Sequence, residues 1–191
     1  MFSFTRPSAA QTQAHIFRQQ HLPYSYTETG FTQRDEKVKG YDNDLNFIEL
    51  GKGEATWQTA KNAIRQWIMF PASWAFIRPQ QAPIHPGTVV AMSARVCGVW
   101  WINACRIVYT FDEPDRFGFA YGTLPGHVEM GEEIFMVERL PDGMVRYVIK
   151  AFSRPRFWMA RMAYPLARWY QRRFVRDSKA AMLQYIQQQQ V

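Results

Sequence analysis

His127, Glu129 and Glu133 stand at even spacings within one apolar-rich segment. In an extended strand, side chains two and four residues apart share a face, so the three would converge while Glu132 points the other way. An imidazole beside two carboxylates can act as general acid and base, or hold a metal ion weakly. Gly131 interrupts the run and could set a bulge that breaks the alignment. The competing reading is a solvated hairpin tip, because the group brings neither a nucleophile nor a full ligand set. Arg106 could lie in the same sheet and pair with one of the carboxylates.

Tyr121 and Thr123 alternate with apolar neighbours and could serve as polar handles inside a cavity. Gly51-Lys52-Gly53 precedes a helix, whose N-terminus would attract an anion. The remaining spacing of a phosphate loop is missing, so a tight strand-to-helix turn accounts for it. Cys97 and Cys105 are the only cysteines and no secretory cue accompanies them, which reads as reduced, buried thiols. Neither a metal nor a cofactor is expected.

The formal charge of +7 is concentrated. Arg154, Arg156, Arg161, Arg168, Arg172, Arg173, Arg176 and Lys179 face a single acid, Asp177, and the rest of the chain is balanced. Arg161, Arg168, Arg172 and Arg176 could therefore present a surface to anions or to an acidic lipid leaflet. A solvated helix face is the plainer alternative. No nucleic-acid motif accompanies the charge, so weak anionic-lipid contact is expected and specific nucleic-acid binding is not. The first residues carry no apolar core of a signal peptide, and no apolar stretch is long enough to span a bilayer. A cytoplasmic location is the expectation.

These side chains need elements to hold them. A chain of 191 residues, 47% hydrophobic and 16% aromatic, suits one core, and residues 1–191 read as a single domain. Residues 1–22 read as a poorly ordered lead-in and 186–191 as a frayed tail. Tyr24 to Thr27 suggests a short strand, 32–44 a loop, and Leu45 to Leu50 an apolar piece. Trp57, Ala60, Ile64, Trp67 and Ile68 recur at helical spacing from Glu54, and Pro71 ends the helix. A proline-rich connection over 72–87 follows.

Residues 88–96, 99–111, 117–124, 127–140 and 144–152 are rich in β-branched and aromatic residues, with turn residues between them. They predict an antiparallel meander. Beyond it a helix is expected, with Ser153 as cap, Pro155 in the first turn and Pro165 as a kink. Trp158, Met162, Leu166, Trp169 and Tyr170 would form its apolar face. The fold class is α+β: a curved antiparallel sheet of about six strands gripping a long C-terminal helix. That order resembles the helix-grip architecture of pollen-allergen-like and START lipid-transfer domains.

The resemblance sharpens in Phe117-Gly118-Phe119-Ala120-Tyr121-Gly122-Thr123-Leu124-Pro125-Gly126-His127, with Glu129 and Gly131-Glu132-Glu133 behind it. Cys105-Arg106, Ala151-Phe152-Ser153-Arg154-Pro155, the Tyr24–Gly30 stretch and Gly51-x-Gly53 add to it. Over about residues 22–185 the chain resembles uncharacterised protein family 0548, or domain of unknown function 1990. The resemblance implies a shared ligand or partner without naming one, and carries no catalytic residue over. The leading reading is a non-enzymatic protein holding an apolar or amphipathic small molecule between sheet and helix, with Tyr121, Thr123, Arg106, Trp158 and Met162 as candidate contacts. A small-molecule enzyme using His127, Glu129 and Glu133, and a peripheral anion-binding protein using the arginine-rich helix, are the alternatives.

Overall fold

The computed structural model describes residues 1–156, 162 and 164–189. Five apolar runs become the expected meander: β4 (Val89–Val96), β5 (Val99–Asp112), β6 (Arg116–Thr123), β7 (Glu129–Arg139) and β8 (Met144–Pro155). Cys97 and Gly98 join β4 to β5 with φ of 49° and 81°, the left-handed pair whose twist suits a two-residue hairpin.

Three further strands widen the sheet. β2 (Asp42–Lys52) pairs antiparallel with β8, β3 (Ala75–Arg78) pairs with β4, and β1 (Phe2–Ser3) lies beside β5. The main order is β2-β8-β7-β6-β5-β4-β3, an eight-stranded sheet counting β1. Register shifts between Ile107 and Tyr109, and between Glu49 and Gly51, insert extra residues and bend the sheet. Gly131 brings no such shift, because the β7–β8 register runs unbroken through it.

The inner face is apolar along every central strand. Ile107, Phe119, Phe135, Tyr147 and Ile149 pack against Trp57, Ala60 and Ile64 of α2 (Gly53–Arg65) and Met182 and Ile186 of α3 (Tyr164–Gln189). The chain is thus a helix-grip-like α+β fold with a long C-terminal helix.

Several expectations change. Residues 1–22, expected as a lead-in without regular structure, hold β1 and a capped helix. Ser8 caps α1 (Ala9–Gln19) and Gln11 returns the bond, while Ile16 packs with Ala91 and Ile102 on the outer face. α2 ends before Trp67, which takes φ 58° and sends its indole N–H to the Ala82 carbonyl at 2.9 Å. Tyr24 to Thr27 is irregular rather than a strand, tied on by the Ser25 N–H to the Thr123 carbonyl at 3.0 Å. Ser153 and Pro155 belong to β8, so neither caps nor opens the helix, and Arg154 lies on a strand. Pro165 is the second residue of α3, where a missing N–H costs nothing, instead of a mid-helix kink. The tail does not fray from residue 186: α3 continues to Gln189 and Ile186 is buried.

Candidate functional site

The period-two reading of β7 holds for two residues of three. Glu129 and Glu133 share the inner face. His127 precedes the strand in the β6–β7 turn, where its Nδ1 accepts the Glu129 N–H at 3.0 Å. Burial drives His127 down to about 3, aided by the N-terminal ammonium, Arg156 and His15, none of which acts on Glu133. Among the described residues, no hydrogen bond joins the His127 ring to the Glu129 or Glu133 carboxyl; the ring accepts from the Glu129 backbone instead.

Glu133 keeps partial exposure yet is largely desolvated. Burial pushes its carboxyl up to about 8, opposed by the Tyr121 hydroxyl, which donates to it at 3.1 Å, and reinforced by Glu129 and Asp44. Glu129 is raised by burial too, against the relief of Gln171, whose amide donates to both its oxygens at 2.8 Å. Arg168 reaches down from α3 to clasp Asp44 of β2 through two bonds of 2.6 and 2.8 Å. Tyr164 donates to Asp42 at 2.9 Å. This inlet under the upper end of α3 was not legible as a unit, since Asp44 and Arg168 lie 124 residues apart.

The other candidates have structural duties. Arg106 projects to the outer face and donates to the Gln20 and Leu22 carbonyls at 2.9 and 2.7 Å, not to a carboxylate. Thr123 is no cavity handle, because its hydroxyl is spent on Gly131 and on Ser25. Glu132, buried on the outer face, accepts from the Tyr26 hydroxyl, the Gly30 and Thr32 N–H groups and the Thr32 hydroxyl. Lys52 of the glycine turn pairs with Asp142 at 3.1 Å. Cys105 is buried but Cys97 is exposed at the hairpin tip. Trp158 and Arg161 lie outside the described residues. Among the described residues, no group of three His, Cys, Asp or Glu side chains is placed to hold a metal ion, and no helix is long and apolar enough to cross a membrane.

α3 divides along its length. Its lower half covers the sheet through Phe174, Ser178, Met182 and Ile186, with Ser178 and Tyr147 hydroxyls 2.9 Å apart. Its upper half meets the expectation only in Tyr170, which packs on Trp74 at 6.0 Å between ring centres; Leu166 and Trp169 face solvent, as does Met162 ahead of the helix. Arg168 turns in to Asp44 while Arg172 and Arg176 stay exposed, so the arginines do not follow one face.

Between the lower half of α3 and the β3 side of the sheet runs a groove of about 610 Å³. Trp67, Phe70, Phe76 and Ile77 line one side, and Ala181 and Tyr185 the other. Phe70 stands 5.4 Å from Phe135, and Phe135 5.3 Å from Tyr121, which touches Glu133. A wall of rings packed at steep angles therefore separates the groove from the acidic inlet.

Comparison with known proteins agrees with this architecture. The profile of a domain of unknown function, DUF1990, matches residues 25–181. A UPF0548 protein of Dictyostelium discoideum is 33% identical, the match covering 97% of this chain and 96% of that protein. One of Deinococcus radiodurans is 36% identical over 92% and 94%. A crystal structure of a hypothetical protein of Helicobacter pylori superposes with a TM-score of 0.55 at 7% identity, covering 85% of this chain and 95% of its own. At that identity the likeness is one of fold.

Proposed function

The chain belongs to the DUF1990 family, and from that premise we propose that it is a binding protein for an apolar or amphipathic small molecule held between the sheet and α3. The groove carries this reading. Its volume lies in the range of small-molecule sites, and it sets an apolar wall of Trp67, Phe70, Phe76 and Ile77 among polar side chains such as Gln66 and Gln184, a mixed lining that suits an amphipathic ligand. Arg6 and Arg78 at the rim suit an amphipathic ligand with a polar end.

The acid–base alternative keeps one supporting observation, the proton that Glu133 retains near neutrality. Against it, His127 gives its ring nitrogen to a backbone N–H, and the side chain that meets Glu133 is the Tyr121 hydroxyl, itself held in its protonated form by burial. Binding needs no proton transfer.

The test is displacement of the fluorescent probe 1-anilinonaphthalene-8-sulfonate, together with native mass spectrometry of gently purified protein. Ala181→Trp should fill the groove and lower probe affinity at least about tenfold, the loss of one well-packed apolar contact. Glu133→Gln should leave it unchanged. Probe binding indifferent to Ala181→Trp, in protein that circular dichroism shows to be folded, would overturn the reading.

A further inference from the structure

We propose that the outer face of α3 is a docking surface for an anionic lipid bilayer. Met162, Leu166 and Trp169 are 76%, 42% and 50% exposed. Leu166 and Trp169, three apart, share one face of α3, and Met162 precedes the helix. That face lies opposite Ser178, Met182 and Ile186, which pack on the sheet. A single apolar face could not both cover the sheet and meet a membrane, but this helix uses two faces at different heights.

The same outer face continues into cations. Arg172, Arg173 and Arg176 follow Trp169 at spacings of three, four and seven, and the Arg176 side chain is 73% exposed. The only acid on α3, Asp177, is turned to the flank, where Trp74 donates to it at 3.0 Å and Arg173 and Arg176 pair with it. On the opposite flank, Arg168 is neutralised by Asp44. Asp177 offsets one of these three charges and Arg173 leans over the Trp74 ring, so the stripe is apolar at one end, net cationic through Arg172 and Arg176 at the other, and without an unpaired carboxylate on α3.

Charge decides the occupant. A second copy of this chain would set arginines against arginines, which costs free energy. A nucleic acid would satisfy the arginines but leave Met162, Leu166 and Trp169 in water. A bilayer surface accepts both: indole and aliphatic side chains enter the headgroup boundary, and guanidinium groups meet lipid phosphates. The helix lies on such a surface and does not cross it, consistent with its arginines.

Cosedimentation of the full chain with vesicles of phosphatidylcholine, with and without phosphatidylglycerol, tests this. Binding is expected only with the anionic lipid, and should fall when salt shortens the screening length from about 10 Å to about 3 Å. Trp169→Ala should weaken it about tenfold, and Arg172→Gln or Arg176→Gln about fivefold each. Lys39→Gln, an equal charge change on an exposed loop, should have little effect. Equal binding to phosphatidylcholine alone, no binding to either vesicle, or an equal loss from Lys39→Gln would overturn the proposal. So would a homodimer by sedimentation equilibrium that Trp169→Ala dissociates. Probe displacement from the groove should be untouched by these substitutions, so this proposal and the groove reading fail separately.

Discussion

At the scale of single residues, the most constrained polar group is Glu132. Four hydrogen bonds converge on its buried carboxylate, and they tie residues 26–32 to the outer face of β7. Removing it strands the Tyr26 hydroxyl and two backbone N–H groups away from water, each a costly loss. Glu132→Ala should lower unfolding stability by about 3 kcal/mol. It should also loosen the following loop, so trypsin should cut faster at the exposed Arg34, Lys37 and Lys39. Unchanged stability and cleavage would show that the loop is held by something else. Alternation along β7 was enough to send Glu132 one way and Glu129 and Glu133 the other. It was not enough to find all their partners, because Tyr26 reaches Glu132 from 106 residues away and Gln171 reaches Glu129 from 42, beyond any local period. His127 was misplaced for a local reason: the Pro125-Gly126 turn holds it short of the first ladder pair, so strand geometry does not reach it.

At the scale of elements, the meander and its turns were legible because each strand carries its own apolar run and its own turn residues. Elements whose apolar signal is weak were missed. α1 buries only Thr12, His15 and Ile16, and β3 is four residues long. The termini of the helices were misjudged where a fold-level bond overrode local pattern. Trp67 leaves α2 to reach Ala82, and Ser153 and Pro155 stay with β8 because Asp42 and Glu129 offer them ladder partners. For α3 the expected apolar face was chosen one stripe off. Trp and Met mark the exposed upper stripe, whereas the sheet is met by Met182 and Ile186 with a serine between helical turns. Met182 is fully buried in the main core. Met182→Ala should therefore cost about 3 kcal/mol in urea unfolding, while Met162→Ala should cost next to nothing, since its side chain is already in water. Equal effects would mean that α3 grips the sheet along its whole length.

At the scale of the whole molecule, buried titratable groups on opposite faces of the sheet pull stability in opposite directions with pH. On the outer side, His15 and His127 are pushed from 6.5 down to about 4 and about 3 by burial. The unfolded chain then binds more protons than the native one below 6.5, and stability falls as pH falls. On the inner side, burial raises Glu133 from 4.5 to about 8. Here the native state holds the extra proton between those values, so stability falls as pH rises, by up to about 1.4 kcal/mol per pH unit. Below 4.5 only the histidine slope of these acts, above 6.5 only the Glu133 slope, and between them the two oppose. The protein should be most stable near pH 6, with a decline toward pH 8 that Glu133→Gln abolishes because the amide has no proton to lose. Urea midpoints measured from pH 4 to pH 9 check this. Wild-type and Glu133→Gln curves that stay parallel above 6.5 would mean that Glu133 is ionised in its crevice. The inner inlet would then be an open, hydrated surface continuous with solvent, and not the desolvated end of the grip.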